Sequence, residues 1–290
     1  MTFRIIVNSI KRLNLNNQSK MNKKKKFAKI AQDIKDIKIQ GARNVAKQAL
    51  YAYSLIPTKQ SKKILMSLRP TEPMLFNVLK KVEIQSYQEI LNHFEDAQQK
   101  INQEVVKIIK SQDIIFTHCH STNVVNALIY AKKQGKNFEV YLTETRPLFQ
   151  GRKTATELRK AGIKTTMFVD SALGIALMGS QGVKKADKIF LGADALLNAG
   201  VINKVGSGLI SKVAKLEKTP LYIVADSWKY TPDKIKLEQR NLKEVWDDAP
   251  AKVKIKNPAF EFVPRENIKN IVSELGALTY SNFLKKVKKA

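Results

Sequence analysis

From Asp113 onward, short apolar runs alternate with segments of helical length, and this alternation restricts the fold more than any other feature. The runs are residues 114–116, 138–142, 165–169, 189–191 and 221–225. Apolar runs separated by helices of about 10–15 residues are typical of βαβ units in a parallel sheet with both faces covered. Right-handed crossovers place the carboxyl ends of all such strands on one side, where ligands bind in open sheets. The sequence therefore predicts an α/β domain with its site just beyond the strand ends.

Before Asp113 the apolar residues have a different spacing. Apolar residues such as Ile30, Ile34 and Ile37 recur at spacings of three and four, which predicts amphipathic helices. The first 26 residues are rich in Asn and Lys, with Met21 as an alternative start. We predict three parts: a flexible basic extension over residues 1–26, a helical domain over 27–110, and an α/β domain over 111–290.

The charge is strongly basic, with 52 Lys and Arg against 25 Asp and Glu and a net charge of +27. Two interpretations stay open: a polyanionic partner, either nucleic acid or a phosphorylated substrate, or a general lysine bias spread along the chain. No apolar stretch reaches the roughly 20 residues of a membrane span, so we expect a cytoplasmic protein with no membrane partner. The single cysteine excludes an internal disulfide and a Cys-based zinc cluster. We expect no metal and no other cofactor.

The end of the first predicted strand carries that cysteine. Residues 117–123 read Thr-His-Cys-His-Ser-Thr-Asn and lead into a helix, for which Ser121 or Thr122 is a candidate N-cap. Free N–H groups at such a junction bind anions and lower the pKa of a thiol. Cys119 is therefore a candidate base or nucleophile, and the alternative is a small buried hydrophobic residue.

Two further strand ends, with a loop that follows the first of them, carry an acid and two cations. Asp194 follows the fourth run and is a candidate general acid, with a helix N-cap as the alternative. Residues 200–208 resemble a glycine-rich phosphate loop that carries Lys204. Lys229 follows the fifth run and adds a second cation.

Two other loops contain charged residues, and one of these residues has two competing interpretations. Arg146 precedes a proline and is either a phosphate ligand or the ion-pair partner of Glu144. Asp170 ends the third run, where a helix cap explains it.

Four motifs together resemble a known family. They are Thr117-His118-Cys119, Glu144-Thr145-Arg146-Pro147 with Gln150-Gly151, Gly192-Ala193-Asp194, and Asn203-Lys204-Val205-Gly206. In this order they resemble the superfamily that joins the alpha, beta and delta subunits of initiation factor 2B with isomerases of methylthioribose-1-phosphate and ribose-1,5-bisphosphate. The resemblance covers roughly residues 27–290. It implies a helical amino-terminal domain, a Rossmann-like carboxyl-terminal domain with a mostly parallel sheet, and assembly into a homo-oligomer.

The resemblance also implies roles for individual residues. The isomerases use the Cys of Thr-His-Cys as proton acceptor and the Asp of Gly-Ala-Asp as proton donor, which correspond to Cys119 and Asp194. The regulatory subunits commonly lack this Cys and carry Glu in place of this Asp, so both retained residues favour an enzyme. The implied substrate contacts are Gln40, Gly41, Ala42, Arg43, Arg69, Ser121, Thr122, Asn123, Gln150, Asn203, Lys204 and Lys229.

The predicted activity is the isomerisation of a sugar 1-phosphate, with ribose-1,5-bisphosphate to ribulose-1,5-bisphosphate as the preferred reaction. Gln40 stands where the isomerases carry arginine, and Arg43 is a candidate replacement. Two alternatives remain. One is a methylthioribose-1-phosphate isomerase. The other is a non-catalytic subunit like those of initiation factor 2B, which would bind a nucleotide or sugar phosphate and dock on initiation factor 2.

Overall fold

The computed structural model describes residues 20–235, 237 and 239–289. These residues pack into two compact units. The first comprises the described residues up to Pro70 together with Met74–Leu91, and the second comprises Thr71–Pro73 and the described residues from Asn92 onward.

The first unit is helical, as the apolar periodicity predicts. Its helices are α1 (residues 20–35), α2 (Ala42–Leu55), α3 (Lys59–Ser67), most of α4 (Pro73–Lys81) and the beginning of α5 (Tyr87–Ile108). Residues at helical spacing, among them Ile34, Val45, Leu65, Leu75 and Leu79, form its buried core. Of the predicted extension, residues 1–19 lie outside the described residues and residues 20–26 belong to α1. The predicted boundary near residue 110 falls at the end of α5, whereas the two units divide inside this helix.

The second unit alternates strands and helices. In chain order they are β1 (Asp113–Thr117), α6 (Thr122–Lys133), β2 (Phe138–Thr143), α7 (Gln150–Lys160), β3 (Lys164–Phe168), α8 (Leu173–Met178), β4 (Lys188–Leu191), β5 (Ala195–Leu196), β6 (Gly200–Lys204), α9 (Ser207–Leu216), β7 (Leu221–Val224), β8 (Phe260–Pro264), β9 (Asn270–Ser273), β10 (Gly276–Leu278) and α10 (Tyr280–Val287). Within the described residues, the main sheet has seven strands in the order β10-β9-β7-β4-β1-β2-β3. Neighbouring strands pair in parallel, except β9 with β10. The predicted α/β fold with a mostly parallel sheet is confirmed.

Helices cover both faces of this sheet, because successive side chains of a strand point to opposite faces. Ile114 and Phe116 of β1 pack in a core that includes residues of α8, α9 and α10. Ile115, between them, packs with residues of α5, α6 and α7. No helix in the described part of the chain is both long and apolar enough to cross a membrane.

The order of strands reverses at β1. From β1 the sheet grows through β2 and β3 in one direction, and through β4, β7 and β9 in the other. In open sheets of this kind, ligands bind at the carboxyl ends of the strands at such a switch point. Here the loops after β1 and β4 carry Cys119 and Asp194.

Two features differ from the prediction. β3 is an edge strand with exposed residues such as Lys164 and Met167, so it is not covered on both faces. Residues 200–204, predicted as the start of a phosphate loop, form β6, which pairs antiparallel with β5 and β8 in a second sheet. The pattern gave no sign of this sheet, because β5 has only two residues and periodicity needs a longer run.

Candidate functional site

The loop between β1 and α6 places Cys119 beside the loop that follows β4. Ser121 is the N-cap of α6 and its hydroxyl accepts from the N–H of Val124, while Thr122 is exposed in the first turn. This confirms one of the two predicted caps. A Cβ added to Gly192 would lie 2.6 Å from Oγ of Ser121. The loops after the two central strands are therefore in contact, and only glycine permits this close approach.

The thiol of Cys119 responds to two of the predicted site residues. Burial raises its pKa from 9.0 to about 11, the positive charge of Lys204 lowers it, and the carboxylate of Asp194 raises it. Charges shift a pKa in this way only over short distances in a poorly solvated site. The structure therefore brings together the predicted base, acid and cation.

Lys204, the last residue of β6, is 6% exposed. Its Nζ atom lies 5.3 Å from the ring centre of Phe260. Across the described parts of the chain, no carboxylate lies within ion-pair distance of this ammonium. A buried charge is costly unless it is paired. Lys204 is therefore suited to hold an anionic group of a ligand.

Asp194 lies in the turn between β4 and β5 and is half-buried. Its backbone N–H donates to the carbonyl of Ile202 at 2.9 Å. A strand follows instead of a helix, so the alternative of an N-cap is wrong. The carbonyl of Ala193 accepts from Nζ of Lys229 at 2.6 Å. Lys229, predicted to hold a phosphate, thus directs one of its three donors to the turn that presents Asp194.

The glycine-rich segment before α9 binds a carboxylate of the protein itself. The backbone N–H groups of Gly206 and Gly208 donate to Oε2 of Glu261, at 3.0 and 2.8 Å. Glu261 therefore takes the place that the amino terminus of α9 would offer to a phosphate. The prediction that this segment is a phosphate loop is wrong. Glu261 lies on β8, 53 residues after Gly208, so no local pattern announces it.

Three further residues predicted to contact the substrate differ in whether their side chains are hydrogen-bonded within the protein. The side chain of Asn123 donates to Oε1 of Gln98 at 2.9 Å, and that of Asn203 donates to Oγ of Ser207 at 2.9 Å. Gln150, the first residue of α7, has a buried Oε1 atom with no hydrogen-bond partner in the part of the chain that the structure describes. Of these three, Gln150 has the acceptor that is open to a ligand.

The predicted contacts of the helical part belong to the first unit. Gly41 is the N-cap of α2 with a φ of 83°, and Ala42 is the first, buried residue of this helix. Gln40 is exposed, Arg43 is half-buried, and Arg69 is 4% exposed. Their part in substrate binding stays a prediction.

The loop after β2 is held by Asp170. This carboxylate accepts from the backbone N–H groups of Thr145, at 2.8 Å, and Arg146, at 2.6 Å. The N-cap of the short 3-10 helix that begins at Asp170 is Val169, and the Asp170 side chain makes no cap. The helix-cap interpretation of Asp170 is therefore wrong, and its side chain fixes a neighbouring strand end instead.

Arg146 does not pair with Glu144, and this prediction is also wrong. Glu144 pairs with Arg152 at 2.9 Å. The guanidinium of Arg146 lies 4.9 Å from the ring centre of Phe149 and donates to the carbonyl of Val245 at 3.2 Å. The phosphate-binding role of Arg146 stays a prediction.

His118 joins the end of β1 to the loop that follows Lys204. Its Nε2 lies 2.7 Å from the carbonyl oxygen of Val205, which can only accept, so Nε2 carries the hydrogen. Nδ1 then accepts from the hydroxyl of Thr143. Burial lowers the pKa of His118. The neutral ring therefore fixes the backbone next to Lys204 relative to that of Cys119.

A second polar cluster near the site was missed by the sequence. His93 bonds to Asp226 at 3.2 Å, and Glu274 accepts from the N–H and the hydroxyl of Ser227. Burial, together with the charge of Asp226, raises the pKa of Glu274. These residues surround the short segment that ends at Lys229, so they fix the residue that holds the Asp194 turn. They come from three distant parts of the chain, which is why no motif revealed them.

The fold and the site define a class of α/β proteins with an acid, a thiol and a cation at the switch point of the sheet. A sequence profile of the Initiation factor 2 subunit family matches residues 4–280, and the chain belongs to this family. Ribose 1,5-bisphosphate isomerase of Thermococcus kodakarensis is 32% identical, over 88% of this chain and 91% of that protein. The protein of the same name from Archaeoglobus fulgidus is 31% identical, over 86% and 88%. The crystal structure of the translation initiation factor eIF-2B from Pyrococcus horikoshii has a TM-score of 0.76 at 25% identity, covering 87% of this chain and 96% of that one.

Proposed function

We propose that this protein is an aldose–ketose isomerase that converts ribose-1,5-bisphosphate to ribulose-1,5-bisphosphate. The observation that carries the proposal is the grouping of Cys119, Asp194 and Lys204, whose charges interact at the switch point of the sheet. The relatives from two archaea that bear the name ribose 1,5-bisphosphate isomerase support this choice of substrate.

The reaction needs one acid and one base and leaves the redox state of the sugar unchanged. Asp194, in its protonated form, gives its proton to the ring oxygen as the bond between C1 and this oxygen breaks. The thiolate of Cys119 removes the proton of C2, and the electron pair forms the double bond between C1 and C2. The enol then loses its hydroxyl proton to the carboxylate of Asp194, while C1 takes the proton back from the Cys119 thiol. Both residues end in the state in which they began.

The electrostatics of the site suit this assignment. Burial and the Asp194 carboxylate raise the pKa of the Cys119 thiol, so Cys119 rests as a neutral thiol. Transfer of the proton from Sγ to Asp194 removes the negative charge that disfavours the thiolate. The remaining charge of Lys204 then stabilises it. The pair thus reaches its reactive state by one internal proton transfer.

Turnover of ribose-1,5-bisphosphate in a coupled assay tests the proposal. We expect Asp194→Asn and Cys119→Ser to lower kcat by about 10²–10⁴-fold, the usual contribution of a positioned acid or base. Asp247→Asn, which removes an exposed carboxylate of comparable size, should leave kcat unchanged. Full turnover by either site variant would refute the mechanism.

Two other functions have specific support. Gln40, in place of the arginine that the isomerases carry, favours a non-catalytic subunit that binds a nucleotide or sugar phosphate and docks on initiation factor 2. A relative from Archaeoglobus fulgidus, 28% identical over 76% of this chain, is named putative methylthioribose-1-phosphate isomerase. Turnover of methylthioribose-1-phosphate alone would select that substrate. No turnover of either sugar, together with specific retention of initiation factor 2, would select the regulatory subunit.

We also propose that the protein is cytoplasmic, and that it forms a homo-oligomer as the family resemblance implies. The crystal structure of a tetrameric complex of the beta and delta subunits of eIF2B has the same fold at 16% identity. Light scattering of the purified protein measures the assembly, and a strict monomer would contradict it.

A further inference from the structure

We infer that Thr145 and Thr154 are positioning residues for Cys119, because their hydroxyls hold both backbone groups of the cysteine and thereby fix the place of its thiol. The inference rests on the proposed function, in which Cys119 accepts the substrate proton. Neither threonine was predicted as a site residue from the sequence.

Thr145 holds the amide of Cys119. The N–H of Cys119 donates to Oγ1 of Thr145 at 2.9 Å, and Thr145 is fully buried. Thr145 itself has a φ of 62°, which is rare for a β-branched residue. The Asp170 carboxylate holds it there by accepting its N–H at 2.8 Å. The loop after β2 therefore keeps an unfavourable backbone conformation that directs one hydroxyl at the Cys119 amide.

Thr154 holds the carbonyl of Cys119. Its Oγ1 lies 2.9 Å from the Cys119 carbonyl oxygen, to which it must donate. A hydroxyl has a single hydrogen, so the same Oγ1 accepts from Nδ1 of His120, at 3.0 Å. Thr154 is 1% exposed on α7. The direction of every hydrogen bond in this chain of groups is therefore defined.

Cys119 needs both bonds because of its own backbone. Its φ of 67° lies in the left-handed region, which L-residues with a Cβ rarely adopt. Such a conformation persists only when the surroundings impose it. The two hydroxyls bind the peptide groups on either side of the Cys119 Cα, so they determine the direction of the Cα–Cβ bond. Both bonds go to the backbone, so the threonines set the place of the thiol relative to Asp194 and Lys204.

Valine and serine substitutions separate the hydroxyl from the shape of the side chain. We expect Thr145→Val and Thr154→Val each to lower kcat by about 10-fold with KM changed less than about 2-fold, because the lost hydrogen bonds place a reacting group and bind no substrate. Thr145→Ser and Thr154→Ser keep the hydroxyl and should restore kcat. Thr219→Val is the matched control: its buried hydroxyl has no hydrogen-bond partner among the described residues, and it lies in the loop before β7.

Alkylation of the thiol by iodoacetamide provides a readout without substrate. Cys119 is the only cysteine in the sequence, so the pH profile of alkylation reports its pKa alone. We expect the wild-type protein, the serine variants and Thr219→Val to titrate near 11, and the two valine variants to titrate closer to 9.0 because the thiol leaves its dry position. Valine variants with the wild-type alkylation profile would overturn the inference. Serine variants that shift as much as the valine variants would also overturn it. A shift confined to the valine variants, in a protein that turns over no sugar, would support the positioning role and refute only the proposed function.

Discussion

Cys119 has charged neighbours of both signs, and two of them, Lys204 and Asp194, change different properties of the site. Lys204 lowers the pKa of the thiol and is the charge that stabilises a thiolate. Asp194 raises this pKa and is the group that can take the proton. The ordinary arrangement of a reactive cysteine, next to a cation alone, would give a permanent thiolate. Here burial and the carboxylate together raise the pKa of the thiol, so the thiolate forms only when another group takes its proton.

At the residue scale, this arrangement predicts opposite effects of two substitutions. Asp194→Asn removes a negative charge, so the pKa of Cys119 should fall. Lys204→Met removes a positive charge, so the pKa should rise. The pH dependence of alkylation measures both, and a change of one pKa unit corresponds to about 1.4 kcal/mol.

The exposed Asp247 provides the control for the residue-scale experiment. Asp247→Asn changes the net charge as Asp194→Asn does, but the Asp247 carboxylate is exposed, where water and salt screen its charge. It should leave the alkylation profile unchanged. A pKa that rises in Asp194→Asn would show that the carboxylate does not act on the thiol through its charge.

At the scale of single elements, Glu261 caps α9 from another part of the chain. Its carboxylate accepts two N–H groups at the start of the helix, where a negative charge also interacts favourably with the helix dipole. Glu261→Ala should reduce the free energy of unfolding by about 1–3 kcal/mol, the cost of leaving such donors without an acceptor. Glu261→Gln keeps an acceptor and should cost less. Urea unfolding measures both.

Glu266 provides the comparison for Glu261. It is an exposed carboxylate on the short 3-10 helix directly after β8, so Glu266→Ala should have little effect on the free energy of unfolding. Equal stability of Glu261→Ala and the wild-type protein would show that the carboxylate does not stabilise the helix.

The residues of the candidate site show which of its features could be predicted from the sequence and which could not. Cys119 and Asp194 were found because parallel topology brings strand ends together, whatever the details of the side chains. Lys204 was singled out by the glycine residues around it, although it ends β6 of the antiparallel second sheet. Glu261, Thr154 and Asp170 could not be given their roles in this way. Their bonds depend on the register of β6 with β8 and on where loops fold back, which are set by contacts between distant residues. Asp194 was also given an N-cap as an alternative role, and Asp170 was given a cap role alone. A carboxylate next to the end of an element has the same local sequence pattern whether it caps a helix or acts elsewhere.

At the scale of the whole molecule, unfolding exposes two histidines that the fold keeps from water. Burial lowers the pKa of His118 and of His120 below the ordinary 6.5. Between the lowered value and 6.5, only the unfolded chain binds the proton, so acidification favours unfolding. The two histidines therefore leave the free energy of unfolding unchanged above pH 6.5 and reduce it as the pH falls below 6.5.

Urea unfolding at several pH values measures this loss. The free energy of unfolding should decrease from neutral pH to below the ordinary histidine pKa, and His118→Gln should make the decrease smaller. Added salt screens the repulsion within a chain of net charge +27, which also grows in acid. The measurement is therefore made at high ionic strength. Stability that rises on acidification under these conditions would contradict the prediction.

The two hydrogen bonds to the Cys119 backbone also make Cys119 a reporter of when the site forms during folding. Its amide and carbonyl are bound by residues 26 and 35 positions further along the chain. Both hydrogen bonds therefore form only after β2 and α7 have packed beside β1. The time at which the lone thiol becomes protected from a pulse of alkylating reagent during refolding is therefore the time at which the central strands assemble. The protein thus carries, without any added label, a chemical reporter of the kinetic step that creates its site.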